Sequence, residues 1–576
     1  MTDVPATIWR ASREIASSEI ELFKKELDLE DKILKLLLLR GISKFEEARS
    51  FFKPSLDQLH DPFKMKDMQK AVDRINAARQ QNEPYLIYGD YDVDGTTAVS
   101  LMASFLENHY PNFETYIPDR YREGYGVSIA GIDYAKSKGI SLIIALDCGI
   151  KAVEKVAYAK SLGIDFIICD HHTPGLQIPD AVAVLDPKQE DCHYPYKGLS
   201  GCGVGFKLCQ ALATTWNIPQ GETWKLLDLL ALSIGADIVP MTGENRVLAH
   251  FGLEKINSDP SPGLEALLKT AGTDKPKLDI GDLVFILAPR INAAGRLDHG
   301  QRAVDLLRGK DLSLLPEIAA EIEVRNRDRK DLDRKIFIEA KKQVDENAAD
   351  FKFSTVVYQE DWHKGVIGIV ASRLIEHYYR PTVVLTRSGD KIAGSARSVV
   401  GFNLYDALEA CEDHLLQFGG HPAAAGMTLM PEQLEGFKSA FERAVAERIS
   451  EEQKQPIYYY DLEVTAEELD PKLYRLIQRL APFGPENLAP LLLCRNLIDA
   501  GSRCVGEDKK HLKLNLVDEA SGLCLEGIAF NLGSQLAVLQ SGCPVSVLFH
   551  LELNVFRGQA SLQIRVLDLK KDEELI

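Results

Sequence analysis

"YLIYGDYDVDGTTAVSLM", residues 85–102, decides how the rest of the chain is read. The apolar run Tyr85–Tyr88 reads as a buried strand. It ends in three acids at alternate positions, Asp90, Asp92 and Asp94. Gly95 and two threonines follow, and a helix-like apolar pattern then begins. Like charges this close raise one another's pKa or need a cation between them. Taken alone, such a cluster is as readily an acidic surface turn, so the other segments must decide.

Two familiar patterns are tested first. D-x-D-x-D-G opens a calcium loop, which needs an acid at its twelfth position. Counted from Asp90, that position is Leu101, inside the apolar helix pattern, and a strand precedes the loop instead of a helix. The calcium loop fails. The second pattern is the start of haloacid-dehalogenase phosphatases, an apolar strand followed by DxDGT, which Asp92, Asp94, Gly95 and Thr96 satisfy.

A chain of 576 residues predicts several domains. With 45% hydrophobic and 26% charged residues it has the composition of an ordinary globular protein. No apolar run reaches the roughly 18 residues of a membrane span, and the N-terminus lacks the basic-then-apolar pattern of a secretory signal. The ten cysteines include no C-x-x-C pair, which argues against a zinc knuckle or a disulfide framework and suits a reducing cytoplasm. A net charge of −18 argues against a broad basic face for duplex binding but leaves room for a narrow basic channel.

Along the chain, residues 1–75 predict an N-terminal helical leader, with amphipathic stretches such as "KILKLLLLRG". From 76 to 310, short apolar runs ("YLIYGD", "SLIIALDCG", "DFIICDHH", "AVAVLDP") alternate with amphipathic helices, the pattern of a parallel sheet covered on both faces. Residues 311–349 are dense in charge, contain no glycine and only one early proline, and predict a long exposed connecting helix. A second α/β unit occupies 350–452, and from 456 to 576 strands and turns predict a five-stranded barrel of the OB type.

The acids fall after apolar runs in separate segments: Asp90, Asp92 and Asp94 after the first, Asp147 after "LIIAL", Asp170-His171-His172 after "FIIC", and Asp237 after "LLALSIGA". In an open parallel sheet ligands bind at the carboxyl ends of strands, so these segments deliver carboxylate and imidazole to one edge. Mixed carboxylate and imidazole without thiolate suits Mn²⁺ or Mg²⁺, and a pair of such ions would bridge a phosphate. Asp147 or Asp94 is the candidate shared ligand.

Seven segments, "GDYDVDGTTA", "LDCG", "CDHHTPG", "GADIVP", "PRINAAGRLDHG", "GSARS" and "FGGHPAAAG", together resemble the DHH phosphoesterases, and within them the exonucleases of single-stranded DNA. The resemblance spans nearly the whole chain, whereas the phosphatase pattern accounts only for Asp92–Thr96. It implies a DHH domain joined by a long helix to a DHH-associated domain, with an OB domain behind. It implies two Mn²⁺ or Mg²⁺ ions on Asp92, Asp94, Asp147, His171 and Asp237, with Asp90 as an outer ligand. Asp170 would orient His171, and His172 would contact the scissile phosphate. Arg120, Arg290, Asn292, Arg296, Ser395, Arg397, Gly419, Gly420 and His421 would handle phosphate, and Trp362, beside His363, would stack on a base or fill a core. His109, His250 and His377 read as structural.

In the OB segment, Arg503, Lys509, Lys510, Lys513, Phe556, Arg557 and Arg565 are the candidate strand contacts. The implied activity is 5′→3′ hydrolysis of single-stranded DNA to mononucleotides in repair and recombination. It would be carried out by a cytoplasmic monomer that works with a single-strand-binding protein and a helicase. Two other readings are a DHH enzyme for cyclic dinucleotides or very short RNAs, which has no use for an OB domain, and a non-catalytic DNA-binding scaffold, which has no use for a full ligand set.

Overall fold

The computed structural model describes residues 7–273, 275–297, 300–347, 351–556 and 559–575. It divides into two compact units, one of residues 1–8, 61–237 and 252–457, the other of residues 9–60, 238–251 and 458–576.

The first unit opens with a five-stranded parallel sheet, β1 (Tyr85–Gly89), β2 (Phe113–Tyr116), β3 (Leu142–Leu146), β4 (Asp165–Cys169) and β5 (Ala183–Leu185), in the order β2-β1-β3-β4-β5. Every residue of β1 and β3 is buried, as continuous apolar runs in a doubly covered parallel sheet require. Helices α1 (Val93–Glu107), α2 (Ile129–Ser137) and α3 (Val153–Ser161) form the crossovers, and α4 (Gly201–Thr215) and α5 (Leu227–Ala236) pack with α1. Strand order reverses between β1 and β3. That is the switch point where an open α/β sheet binds its ligand.

After α6 (Ala288–Leu297) comes α7 (Leu315–Glu346), 32 residues long. The expectation of an exposed helix is corrected here. Ile318, Ile322, Ile336, Ala340 and Val344 are buried, and Asn326 shares their inward stripe. The helix therefore forms part of two cores, one on each side of a polar middle.

The second α/β domain has the sheet order β9-β10-β8-β7-β6, built from β6 (Thr355–Gln359), β7 (Thr382–Ser388), β8 (Lys391–Arg397), β9 (Gln417–His421) and β10 (Ala424–Leu429). Helix α8 (Ile367–Tyr378) covers one face with α7, and α9 (Leu404–Glu409) and α10 (Leu434–Arg448) cover the other.

In the second unit, β11 (Leu492–Asp499), β12 (His511–Asp518), β13 (Cys524–Ala529), β14 (Val545–Phe556) and β15 (Gln559–Lys571) pair in the cycle β11-β14-β15-β13-β12-β11. The cycle closes, so this is a five-stranded barrel, with Leu462–Glu463 and Arg503–Val505 as short added strands. The predicted leader is not a body of its own. Helices Ser17–Lys24, Asp31–Leu39 and Phe45–Phe52 put Phe23, Ile33, Leu34, Leu37 and Ala48 into the same core as Leu473, Leu492, Leu512 and Phe549. A three-helix leader has too little apolar surface to bury alone, and the barrel's apolar residues supply the rest. Among the described residues, no helix is long and apolar enough to cross a membrane.

Candidate metal centre and phosphate cluster

The turn from β1 into α1 builds the first part of the site. Asp92 caps α1, its Oδ1 accepting the Gly95 N–H at 3.0 Å, and Thr96 Oγ1 donates to the Asp92 carbonyl at 2.6 Å. A Cβ on Gly95 would lie 2.4 Å from the Asp90 carbonyl oxygen, so the tight strand-to-helix turn requires glycine there. Asp94 then sits in the first turn of α1 and is gripped by the start of α4. The N–H groups of Gly201 and Cys202 donate to its Oδ2 and Oδ1 at 2.6 and 2.8 Å, and Ser233 Oγ on α5 donates to Oδ1 at 2.6 Å. A helix N-terminus favours an anion in this position.

Asp147 follows β3 with φ +59°, a left-handed conformation uncommon for a non-glycine residue, while its N–H still donates to the Cys169 carbonyl at 2.8 Å. His171, just past β4, brings its Nε2 to 3.3 Å from Asp147 Oδ1, 3.4 Å from Asp237 Oδ2 and 3.7 Å from Asp94 Oδ2. Asp237 is the C-cap of helix α5 and does not end a strand. "LLALSIGA" is apolar all round, and such a run fits a buried helix as well as a buried strand.

Buried polar atoms nearly always have a hydrogen-bond partner. Here Asp147 Oδ1, Asp237 Oδ2, Asp90 Oδ2 and both ring nitrogens of His171 have none among the described residues. Two sets, Asp94-His171-Asp237 and Asp147-His171-His172, each present ligand atoms within 4.8 Å of one another. Burial, reinforced by the neighbouring carboxylates, raises the pKa of Asp92 and Asp147 and pushes Asp237 up to about 9. Burial lowers that of His171. Converging carboxylate oxygens and a neutral imidazole are the donor set for a hard to borderline divalent cation, so the residues fit Mn²⁺ or Mg²⁺. Asp90, buried with Oδ1 accepting the Gly126 N–H at 3.1 Å, stands behind this group.

Asp170 has a different task from the one expected. Its Oδ1 meets His172 Nδ1 at 2.7 Å and accepts the N–H groups of His171 and His172, while Oδ2 accepts that of Ile150 at 2.9 Å. It orients the His172 ring and leaves the His171 ring untouched. Burial opposes charge on both partners, yet their hydrogen bond raises His172 and holds Asp170 at about 2. His172 Nε2 meets the Tyr125 hydroxyl at 3.0 Å.

A cluster of cations stands beside this centre. Burial, then the charges of Arg120, Arg329 and Arg397, lowers Arg296 to about 10, and burial and Arg120 lower Arg397. Arginines that depress one another in this way are placed to receive an anion. Arg120 lies over the Tyr91 ring at 4.8 Å. Arg397 Nη1 donates to Ser395 Oγ at 3.1 Å, and Arg296 Nη1 donates to the Gly365 carbonyl at 2.7 Å. Exposed His421 feels the charges of Lys151, His172 and Lys188 after a modest burial effect, which places it toward the metal residues. Gly420, at φ +148°, has no room for a Cβ, which would lie 2.4 Å from the Ala424 carbonyl oxygen. A Cβ on Gly419 would meet nothing within 4 Å. Asn292 lies half-buried on α6.

One expectation is corrected, and one left between two readings is decided. Arg290 is buried and occupied, with Nε donating to Glu323 on α7 at 2.6 Å and Nη1 to the Ile286 carbonyl at 2.6 Å, so it ties α6 to α7 and is not a free phosphate donor. Trp362 is a core residue, 4% exposed, with Nε1 donating to Glu339 at 2.8 Å. On the barrel, Arg503 faces Lys513 across two strands, and Lys513 is 3.5 Å from Glu526. Arg565 pairs with Glu552 at 2.7 Å and Lys510 with Asp508. Arg557 lies outside the described residues, and Phe556 is described only by its place in β14.

Sequence reasoning missed Tyr125, Ser233 and the Gly201–Cys202 backbone. "SGCGVG" does carry a signal, a small-residue run opening a helix that presents bare N–H groups. Ser233 and Tyr125 carry none, since each acts through a partner distant in sequence.

The chain matches three family models: the DHH family, N-terminal domain, over residues 84–234, the DHHA1 domain over residues 351–447, and the RecJ OB domain over residues 460–568. It is 37% identical to the single-stranded-DNA-specific exonuclease RecJ of Bacillus subtilis, over 96% of this chain and 70% of the relative. It is 33% identical to the protein of the same name from Escherichia coli, over 95% and 98%. The crystal structure of RecJ in complex with Mn²⁺ from Thermus thermophilus superposes with a TM-score of 0.84 at 25% identity, covering 99% of this chain and 80% of that one. A structure of exonuclease RecJ bound to manganese gives a TM-score of 0.60 at 30% identity, covering 69% and 97%.

Proposed function

We infer that this chain, which belongs to the RecJ family of single-stranded-DNA-specific exonucleases, is a metal-dependent exonuclease of single-stranded DNA. One observation carries the reading: His171 Nε2 converges with Asp94, Asp147 and Asp237, and buried ligand atoms there have no hydrogen-bond partner among the described residues. Bound at these residues, Mn²⁺ or Mg²⁺ would supply charge stabilisation and a water of lowered pKa.

The chain's own residues do the rest. The α4 N-terminus and Ser233 hold Asp94 in one orientation. Asp170 accepts from His172 Nδ1–H and favours the imidazolium, in which Nε2 also carries a proton. Nε2, where the Tyr125 hydroxyl now sits, is the atom left to donate to an oxygen of the scissile phosphate. Ser395, Arg397, Arg120 and Arg296 form the pocket for a 5′-terminal phosphate, which makes hydrolysis run 5′→3′ and release mononucleotides. The barrel would supply Arg503 and Lys513 as contacts for the strand.

We place this activity in DNA repair and recombination in a reducing cytoplasm, in keeping with ten unpaired cysteines, and assign a monomer that works with a single-strand-binding protein and a helicase.

End-labelled single- and double-stranded oligonucleotides digested with Mn²⁺, Mg²⁺ or EDTA test the core of the reading. Asp147→Ala and His171→Ala should abolish cleavage in a folded protein that still holds single strands. More than a few per cent of activity left in Asp147→Ala at saturating Mn²⁺ would refute the metal assignment. A preference for 5′-phosphate over 5′-hydroxyl ends should weaken in Arg397→Ala, and circular strands should resist digestion.

A further inference from the structure

The two faces of the second α/β sheet are unlike. Ile392, Ala396, Ala425, Met427 and Leu429 point into a core with α9 and α10. On the opposite face of β8, β10 and β9, Gln417, Gly419, His421 and Gly426 are exposed. Strand register sets three rows across that face, with β8 under the start of α8 and the exposed positions on β10 and β9: Arg397-Ala424-His421, Ser395-Gly426-Gly419 and Ala393-Thr428-Gln417. Alternate residues of one strand share a face, so Arg397, Ser395, Ala393 and Lys391 stand in line along β8.

The line starts at the arginine cluster and ends in a cavity of about 370 Å³ lined by Lys364, Ser388, Lys391, Gln417 and Thr428. Its middle is a low floor: a Cβ on Gly419 would meet nothing within 4 Å, and one on Gly426 only the Gly394 carbonyl oxygen at 3.9 Å. Among the described residues, neither Lys364 nor Lys391 has a carboxylate within 4.0 Å. Several lysines of this acidic chain are neutralised by close partners, such as Lys160 by Asp180 at 2.5 Å and Lys341 by Asp345 at 2.6 Å. Two unpaired ammonium groups, two hydroxyls and an amide around one cavity make a donor-rich site for an oxyanion.

We propose that this cavity is a second phosphate subsite, for a phosphate lying 5′ of the one held by Ser395 and Arg397. It rests on the reading of that cluster as the terminal-phosphate pocket. His421 and Arg397 mark the end of the face nearest the metal residues, so the cavity lies beyond the pocket, where the 5′ end of the strand points. From Ser395 to Lys391 is four residues of strand, about 13 Å at ~3.3 Å each. The flexible four-carbon stem of Lys391 can reach back over about half of that distance. The remaining gap suits two sources of phosphate, the outer phosphates of a triphosphorylated 5′ end or the phosphate of one further nucleotide threaded past the pocket.

The test uses the full chain in EDTA and fluorescence anisotropy with 3′-labelled oligodeoxynucleotides carrying a 5′-hydroxyl, 5′-monophosphate or 5′-triphosphate. A parallel digestion with Mn²⁺ reads the length of the released products. Two exposed ion pairs predict that the triphosphate end binds roughly two- to tenfold more tightly than the monophosphate. The double variant Lys364→Gln/Lys391→Gln should lose that gain and keep monophosphate affinity. If the source is a threaded nucleotide, dinucleotides appear among the wild-type products and vanish in the double variant. Equal affinity for the two phosphorylated ends, together with product lengths identical in wild type and variant, overturns the subsite. Arg397→Ala should erase the monophosphate-over-hydroxyl preference. If it does not, the terminal pocket is wrong, whatever the lysines show.

Discussion

A single methyl group placed at Gly201 tests the geometry of the centre. A Cβ there would lie 2.6 Å from both the Cβ and Oδ1 of Asp147 and 2.7 Å from its Cα. Carbon atoms pack at about 3.5 Å or more, so in Gly201→Ala either Asp147 or the first turn of α4 must give way by roughly 0.9 Å. Asp147 cannot swing freely, because its left-handed backbone is held by the bond to Cys169. The start of α4 cannot retreat without lengthening its bonds to Asp94. Either response moves a ligand. A misplacement near 1 Å costs on the order of 100-fold in turnover. Stability should fall less, by the roughly 1–3 kcal/mol that overpacking costs. Turnover of a labelled single strand at saturating Mn²⁺, Mn²⁺ affinity by electron paramagnetic resonance and thermal melting together separate the effects. Gly221→Ala, where a Cβ meets nothing within 4 Å, is the control. Wild-type turnover and Mn²⁺ affinity in Gly201→Ala would refute the packing of Asp147 against α4.

Asp170→Asn should leave Mn²⁺ affinity within about twofold while lowering turnover about 10–100-fold, because it disturbs the His172 ring and not a ligand; loss of Mn²⁺ would return Asp170 to the support of His171. The metal-free protein should lose thermal stability as pH rises from about 4, where free carboxylates ionise, through the Asp237 value of about 9. Over that window the folded site holds protons that the unfolded chain has released, so stability falls with pH; Asp237→Asn or added Mn²⁺ should flatten the fall, and a flat wild-type profile would contradict the buried carboxylates. Leu37→Ala, at a fully buried position in the core shared by the N-terminal helices and the barrel, should destabilise the second unit by about 2–5 kcal/mol in denaturant melts without changing Mn²⁺ affinity. A loss under 1 kcal/mol would mean that the helices do not share the barrel's core.

Sequence was informative wherever one segment carries its own pattern. The apolar runs β1, β3 and β4 with acids at their ends could be read directly, because strand periodicity and strand-end chemistry are local. The barrel strands could be read for the same reason. What could not be read depends on pairing across long separations. Arg290 looked like a donor for phosphate until α7 supplied Glu323, 33 residues away. Asp170 could serve either neighbouring histidine, and only the ring orientation decides between them. Residues 1–75 read as one leader because amphipathic helices do not name the core they join; residues 9–60 belong to the barrel's unit and those from 61 to the first unit. Asp237 seemed to end a strand because an apolar run that short has no period to distinguish strand from helix.

A net charge of −18 sits oddly with a strand of phosphates as substrate, and the structure locates the resolution. Attraction between fixed charges decays over about 10 Å at moderate salt, so what matters to a strand is the charge it meets along its path. The carboxylates of the centre are gathered behind helix N-termini and between helices, where burial raises their pKa and a divalent cation would offset them. Arg296 and Arg397, both lowered by burial and by the charge of Arg120, stand with Arg120 beside that centre, and none of the three has an ion-pair partner among the described residues. A strand entering from this side would therefore meet the cationic cluster before the anionic one. Once metal is bound, it would meet no net negative field at the reacting phosphate. The same arrangement makes activity depend on salt through a few contacts. Each phosphate neutralised contributes a slope of only about 0.7 for single strands, so a plot of log affinity against log salt should be shallow, and removing Arg397 should lower its slope by close to that amount. A slope unchanged in Arg397→Ala would place the strand's path away from this cluster.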